Sequence, residues 1–437
     1  MKLFKILIIS FLLLSCNNKK SNPPNIVIIM SDDLGYGGIG SYGNKEILTP
    51  NLDFLANNGI KFNDFHSNGT VCTPTRSSLI TGLYPQKTGL EGVIYAKGKT
   101  RSYGLDSNLV TIADVFKENN YNTAIVGKWH LGYEQKFNPV YFGFDEFYGY
   151  VSGNIDFHTH RDGAGYHDWY HNKKKVIEKG YSTDLITKHS ANFINKNKNK
   201  PFFLFVSHEA PHVPFQGRND PGFRFSPEES DYYGPVKDTK RAYKEMVEIM
   251  DEGIGVIINT LKNNELLKNT FIFFLSDNGA REFGHNGVLR GNKGSLFEGG
   301  IRVPAIAYWK SRINKKVSND LLTTFDLFPT ITSIASIKKP NILIDGKDFS
   351  EILFSDKKVN INRKLFWRYR GEKVYRNKKY KLLLTKTDTL LFDMENDIGE
   401  KNNLKIKNHS LIKNFIDEIN DWEIEMSNYN IITNGYQ

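Results

Sequence analysis

Four short apolar runs, each closed at once by polar or charged residues, constrain this chain more than any other feature. Asn25-Ile26-Val27-Ile28-Ile29-Met30 is continuous and rich in β-branched residues, as a strand buried on both faces requires, and it stops in Ser31-Asp32-Asp33. Thr123-Ala124-Ile125-Val126 stops in Gly127-Lys128, residues 202–206 in Ser207-His208, and residues 271–275 in Ser276-Asp277-Asn278. Helical periodicity fills the intervals, at residues 111–119, 183–195 and 241–261. Strands alternating with helices predict an α/β fold with a large, mainly parallel sheet covered by helices on both faces. Ligands of such sheets bind beyond the carboxyl ends of the strands. Asp32, Asp33, Lys128, His130, His208, His212, Asp277 and Asn278 all follow strand ends, so they are expected to converge although they are far apart in the chain.

The pattern changes near residue 340. Short strands at residues 365–368, 373–375, 380–384 and 389–392, followed by a helical stretch at 410–426, predict a small C-terminal antiparallel sheet plus helix. The expected division is a main domain over residues 25–340 and a C-terminal subdomain over residues 341–437. Apolar residues make up 39% of the 437, with 30 Phe and 22 Tyr, enough to fill cores in both. Residues 142–172, rich in Gly, Tyr, His and Asp and without a clear period, read as an excursion that walls a pocket.

Lys2 and Lys5 precede an apolar run over residues 6–14 that is too short to span a bilayer and reads as a signal peptide, residues 1–15. It ends in Leu13-Leu14-Ser15-Cys16, which resembles the lipobox of bacterial lipoproteins. That resemblance implies cleavage before Cys16, lipidation of its thiol, and a tether over residues 16–24. The tether lacks acidic residues, which favours a periplasm-facing anchor in the bacterial envelope over surface display. A Cys16–Cys72 disulfide is the competing use of the only two cysteines. The formal charge of +10 suits either an ordinary lysine-rich surface or attraction of a polyanionic substrate. No block of Lys and Arg with interleaved aromatics is present, so nucleic acid is not an expected partner.

Cys72-Thr73-Pro74-Thr75-Arg76 opens a short helical stretch stopped by Gly82. Pro74 suits the first turn, which places Cys72 just ahead of the helix N-terminus, among unpaired N–H groups that favour an anion. The spacing excludes the phosphatase pattern of a cysteine six before its arginine, because position 78 is serine. It resembles the type I sulfatases of the alkaline phosphatase superfamily, whose Cys-x-Pro-x-Arg cysteine becomes formylglycine. Three further stretches carry the same resemblance: Gly127-Lys128-Trp129-His130, Pro211-His212-Val213-Pro214, and residues 290–304 containing Lys293.

The resemblance implies a formylglycine from Cys72, made by a formylglycine-generating or an anaerobic sulfatase-maturating enzyme. It implies one divalent cation, usually Ca²⁺, on Asp32, Asp33, Asp277, Asn278 and the oxygen at position 72. These are hard oxygen donors suited to Ca²⁺ or Mg²⁺, although an isolated Asp-Asp pair is ordinarily a loop cap. It further implies that Arg76 holds the nucleophile, Lys128 and Lys293 bind sulfate, His130 takes a proton, and His212 serves the leaving oxygen. His208 is open between a structural or substrate-contact role and a role in the catalytic site itself. His160, Asp168 and Trp169 in the excursion are expected to read a sugar by hydrogen bonds and stacking. His158-Thr159-His160, with Asp156, His167 and Asp168 nearby, lacks a clear third ligand for zinc.

The expected activity is hydrolysis of sulfate esters on an oligosaccharide from a sulfated galactan such as carrageenan, or from ulvan. The alternatives are a phosphate or phosphonate monoester hydrolase of the same superfamily, and a lipoprotein that binds sulfated glycan without turnover.

Overall fold

The four apolar runs form the centre of one ten-stranded sheet. The structure, a computed structural model, describes residues 22–227, 233–338, 340–355, 359 and 361–433. The strands are β1 (Asn25–Ser31), β2 (Ile60–Phe62), β3 (Asn122–Lys128), β4 (Glu146–Tyr150), β5 (Tyr170–His171), β6 (Lys174–Lys175), β7 (Phe202–Ser207), β8 (Thr270–Ser276), β9 (Ala305–Tyr308) and β10 (Lys316–Ser318). Their spatial order is β10-β2-β9-β8-β1-β7-β3-β4-β5-β6. β8, β1, β7, β3 and β4 are mutually parallel, and antiparallel pairs appear toward both edges.

Alternation along each central strand builds two cores, one per face. Ile26, Ile28 and Met30 of β1 join Phe203, Phe205, Phe271, Phe273 and Leu275 on one side. Val27 and Ile29 join Phe202, Leu204, Ile272 and Phe274 on the other. Each such side chain is worth roughly 1.5–3 kcal/mol when fully buried, so a register slip of one residue is strongly disfavoured. The helix Thr239–Asn263 starts where the Asp238 carboxylate accepts from Arg241 N at 3.0 Å, and it lays Met246, Val247, Met250, Ile254, Ile257 and Leu261 on the second core.

Gly127 settles the end of β3. Its φ is +112°, and a Cβ there would sit 1.9 Å from the Ser207 carbonyl oxygen of β7. Only glycine lets the two strands pair so close to Lys128.

The C-terminal sheet runs Leu365–Tyr369, Glu372–Arg376, Tyr380–Leu384, Thr389–Asp393 in sequential antiparallel order. The helix His409–Met426 covers it through Phe415, Ile419, Trp422 and Met426, a 4-3-4 spacing on one face. Phe349, Ile352 and Leu353 pack in the first core of the large sheet, so the main domain's packing extends past residue 340. Buried ion pairs fasten the two parts together. Lys381 Nζ lies 2.9 Å from Glu298 Oε1 and 2.7 Å from Glu400 Oε1, and Arg376 Nη2 lies 3.1 Å from Asp64 Oδ2. Asp64, His66 and Glu298 cluster closely enough to hold an ion, but Arg302, Arg376 and Lys381 already neutralise them.

Cys16, the signal peptide and most of the tether lie outside the described residues. Among the described residues no helix is long and apolar enough to cross a membrane.

Candidate active site

The helix Cys72–Thr81 carries the first of the site residues. Val71 is its extended N-cap, Pro74 sits in the first turn, and Gly82 closes it in the left-handed region at φ 72°. Cys72 is thus the first helical residue, one position further in than the sequence predicts. All ten residues of this helix are buried, packed among the helical segments at residues 85–88, 112–118 and 324–334. Cys72 Sγ faces Asp32 Oδ1 at 3.4 Å and accepts from Lys293 Nζ at 3.3 Å. Burial and the adjacent Asp32 carboxylate push the thiol up to about 12, so at neutral pH it stays protonated.

Asp32 and Asp33 follow β1, and Asp277 and Asn278 follow β8, its hydrogen-bonded neighbour. This adjacency brings three carboxylates and an amide together. Like charges so close need compensation, and three cations supply it. Lys128 Nζ forms a short contact to Asp32 Oδ2. Lys293 Nζ is 2.7 Å from Asp33 Oδ1. Arg76 grips Asp277 Oδ2 through Nε and Nη2 and gives Nη1 to Ser207 Oγ at 2.6 Å. Burial alone would raise Asp33, but Lys293 and His212 outweigh it and hold its carboxyl well below the usual range. Asp277 moves the other way, raised by burial and by Asp32 beside it. Burial opposes the charge on Lys128, and Asp32 more than restores it.

The donors fit a hard divalent cation. The Asn278 amide nitrogen is satisfied by Asp33 Oδ1 at 2.7 Å and Gly279 O at 3.0 Å, while its Oδ1 is buried with no hydrogen-bond partner. An orphan amide oxygen beside three carboxylates is a ligand atom for Ca²⁺ or Mg²⁺. Asp32, Asp33, Cys72 and His212 place their candidate ligand atoms within 4.8 Å of one another. Asp33 is held at φ 62°, a left-handed conformation that non-glycine residues adopt only under constraint.

Two imidazoles complete the cluster. His130, also left-handed at φ 58°, bonds the Ile94 carbonyl through Nε2 at 3.0 Å. That bond assigns the ring proton to Nε2 and leaves the partnerless, buried Nδ1 as a bare acceptor. His212 bonds Val213 O through Nδ1 at 2.6 Å and turns Nε2 toward Asp33, 3.7 Å away. Burial, reinforced by Lys128 and Arg76 for His130 and by Lys293 for His212, lowers both rings well below the ordinary histidine value. Over this cluster opens a cavity of about 590 Å³, with Cys72, His130, His212 and Lys293 in its lining.

The excursion places three of the expected sugar-reading residues away from this cavity. His160, Asp168 and Trp169 are outside the described cavity lining; all are buried, with polar atoms bonded within the excursion or to the segment just after it. His160 Nε2 bonds Gly180 O at 3.0 Å, and its ring stacks on Trp169 at 4.7 Å. Asp168 accepts from Val151 N and Ser152 N, and Trp169 Nε1 donates to Glu178 Oε2 at 3.2 Å. The excursion walls the cavity with Gly153, Asn154 and Gly163 instead. A Cβ on Gly153 would come within 2.7 Å of His130 Nε2, so a small residue is needed there. His208 is fully buried and outside the described cavity lining, and burial lowers it to about 3, which keeps it neutral. His158, His160 and His167 bond three different carbonyls, of Gly217, Gly180 and Val176, and form no zinc cluster among the described residues.

Sequence reasoning missed Ser207 as the second anchor of Arg76, and the Ile94 carbonyl that orients His130. The hydrogen bonds of Arg76 go to Asp277, Ser207 and the Lys128 carbonyl, and it is near enough to Cys72 to feel that side chain electrostatically. Ser207 ends β7, so the strand-end rule applied to Asp32 would have found it too.

The family model described as Sulfatase matches residues 24–337. Arylsulfatase A of Bos taurus is 32% identical over 448 residues, which cover 88% of this chain and 84% of that protein. N-acetylgalactosamine-6-sulfatase of Rattus norvegicus is 33% identical, over 80% of this chain and 68% of that one. Among solved structures, Ps i-CgsB in complex with k-i-k-neocarrahexaose superposes with a TM-score of 0.83 at 31% identity, over 92% of this chain and 93% of the other. The matched span contains every strand end from which the cluster is built, and the chain belongs to the sulfatase family, type I of the alkaline phosphatase superfamily, as a sulfuric ester hydrolase.

Proposed function

We propose that the enzyme removes sulfate from an oligosaccharide of a sulfated galactan such as carrageenan. In this reading Cys72 is converted to formylglycine by a maturation enzyme, and Ca²⁺ sits on Asp32, Asp33, Asp277 and Asn278. A lipid on Cys16 holds the protein in a bacterial envelope, facing the periplasm. The cavity over Cys72 carries the saccharide reading: about 590 Å³ is far more than a sulfate group needs, and tyrosines stand on its walls. The 31% identical Ps i-CgsB, whose structure contains a neocarrahexaose, supports the same substrate class.

Sulfate monoesters hydrolyse slowly because negative charge must build on the departing oxygen. A formylglycine hydrate at position 72 would supply two hydroxyls on one carbon, one for attack on sulfur and one for the later release of sulfate. The cation supplies a Lewis acid that makes such a hydroxyl acidic at neutral pH. Arg76 fixes the Asp277 carboxylate, and Lys128 and Lys293 neutralise the sulfate oxygens. His130 Nδ1, bare in the resting enzyme, accepts the proton of the second hydroxyl. His212 Nε2 holds the proton for the leaving sugar oxygen. Its lowered pKa follows from burial and Lys293, and an incoming sulfate anion beside Lys293 offsets that cationic field.

A screen of small aryl sulfates and sulfated oligosaccharides tests the reading. Release of inorganic sulfate from galactan fragments is expected, and turnover of phosphate monoesters alone would replace it with the phosphatase alternative. Cys16→Ala is expected to leave the precursor unprocessed or the protein soluble; unchanged processing and membrane fractionation would remove the anchor.

A further inference from the structure

The wall of the cavity holds one amide in a fixed direction with its donors unspent. The turn that carries it, residues 151–155, is fastened from several sides. Val151 N and Ser152 N donate to the Asp168 carboxylate at 3.3 and 2.9 Å, and Gly153 N donates to Tyr133 OH at 3.3 Å. Ser152 Oγ donates to Asn154 O at 2.9 Å, and Ile155 N donates to Glu209 Oε1 at 2.7 Å. Burial raises the Glu209 carboxyl well above its ordinary value, so this anchor favours its neutral form and brings little charge to the wall.

Asn154 lines the cavity from this turn and is only 9% exposed. Its Oδ1 accepts from Arg224 Nη1 at 2.7 Å, and Arg224 is fully buried outside the described lining. A guanidinium only donates, so it takes the carbonyl end of the amide and leaves the N–H end on the other side. Among the described residues Asn154 Nδ2 donates to nothing, and the cavity is the space beside it. A donor this enclosed is costly to leave unmet, so it calls for water or a ligand. Two glycines of the lining flank the amide. A Cβ on Gly163 would stand 3.7 Å from Asn154 Oδ1, and one on Gly153 would stand 2.7 Å from His130 Nε2. The amide therefore lies close to the reacting groups, with no side chain from either glycine to cover it.

We propose that Asn154 is a specificity-determining residue, whose Nδ2 donates to a hydroxyl, ether or ring oxygen of the sugar that carries the scissile sulfate. The sulfate oxygens themselves belong to Lys128 and Lys293 at the floor, which leaves the wall to read the sugar. Arg224 sets the direction of the amide, so the wall offers that sugar a donor and rejects one with no acceptor oxygen at this point. The inference rests on the saccharide reading above and adds the group that tells a sugar from a plain aryl sulfate.

The test measures kcat/KM of the matured enzyme on a small aryl sulfate and on a sulfated galactan oligosaccharide, and follows the ratio of the two. Asn154→Ala removes the donor and should lower the oligosaccharide-to-aryl ratio by about tenfold, mostly through KM. Asn154→Asp keeps the bond from Arg224, now to a carboxylate, and turns an oxygen instead of N–H groups toward the sugar. It should melt at or above the wild type and lower the ratio at least as far, so it decides the matter where Asn154→Ala fails to fold. An unchanged ratio in a folded variant, whether both rates hold or both fall together, overturns the role of Asn154 and leaves the saccharide reading standing. Wild-type cleavage of aryl sulfate with no oligosaccharide cleaved overturns both.

Discussion

Arg76 holds Asp277 by two donors on a single oxygen, Nε at 3.1 Å and Nη2 at 2.9 Å from Oδ2. The other carboxylate oxygen accepts from the backbone N of Asp33 at 3.3 Å. A residue one turn after Cys72 on the same helix thereby fixes the orientation of the carboxylate that follows β8 against the loop after β1. Lysine has the charge but not the fork, so Arg76→Lys is expected to lower kcat on an aryl sulfate by about a hundredfold through misplacement of Asp277. Arg76→Ala leaves Asp277 buried beside Asp32 with no guanidinium and should also destabilise the fold by roughly 3–5 kcal/mol. Steady-state rates with thermal melts check both, and full activity in Arg76→Lys would end the positioning role.

Asn278 Oδ1 is the orphan among the cation donors. If it is a ligand, Ca²⁺ should raise the melting temperature of the wild type, because an ion that binds only the folded state stabilises by about 2.7 kcal/mol at a hundred times its Kd. Asn278→Ala should need a markedly higher Ca²⁺ concentration for the same rise, and melt close to wild type without the ion. Strong chelation should abolish aryl sulfate turnover, with recovery on adding Ca²⁺ back. A calcium dependence identical in the two proteins would remove Asn278 from the ligand set.

The strand ends were legible because a continuous apolar run states its own burial, and a parallel sheet delivers its C-terminal loops to one edge. β1, β3, β7 and β8 each extend only one to three residues beyond the runs read from sequence. The excursion was not legible. Trp169, His160 and Asp168 have the composition of a sugar-binding wall, and a ring that stacks on a sugar is also a ring that stacks on His160. Only the tertiary path decides which, and composition carries no sign of it. The left-handed turns at Asp33 and His130 were equally silent, since neither residue is glycine. The partner of Arg76 lies 201 residues away, beyond any local pattern.

Trp169 now reads as a pin of the excursion. Its ring is fully buried against His160, and its indole N–H donates to Glu178, which also accepts from Lys188 at 2.9 Å and His189 at 2.8 Å. Trp169→Ala should cost roughly 3–5 kcal/mol and reduce turnover of aryl sulfate and oligosaccharide alike. A selective loss on the oligosaccharide would restore Trp169 to the substrate.

Glu178 adds an acid-sensitive element to the same pin. Burial would raise its carboxyl, but the hydrogen bonds from Lys188, His189 and Trp169 outweigh it and bring the value from 4.5 to about 2. A carboxyl depressed in the folded state contributes stability that is present above the unfolded value and lost as pH falls through the folded one. The melting-temperature gap between wild type and Glu178→Gln should therefore be steady above pH 4.5 and close toward pH 2. A gap that stays constant over that window would show that the carboxylate's charge is not what matters.

Cys72 poses the sharpest question about this chain. A thiolate attacking sulfur would form an S-alkyl thiosulfate whose carbon carries no hydroxyl, so nothing within the residue could expel the sulfate. An aldehyde hydrate at that position has the second hydroxyl, and His130 Nδ1 is the buried acceptor available to deprotonate it. Protein made together with a maturation enzyme should therefore yield a Cys72 peptide that has lost its thiol and reacts with hydrazide, and specific activity should rise in proportion to the converted fraction. Protein made without one should keep the thiol and be inactive, as should Cys72→Ala, while both melt near the converted enzyme because the helix Cys72–Thr81 does not depend on the modification. His130→Ala in converted protein should release one equivalent of leaving alcohol in a burst and then stall with sulfate retained, since only the second half of the cycle needs that acceptor. Steady turnover by protein carrying only thiol at position 72 would overturn the formylglycine reading. A His130→Ala variant that stalls before any alcohol appears would move the histidine to the first half of the cycle.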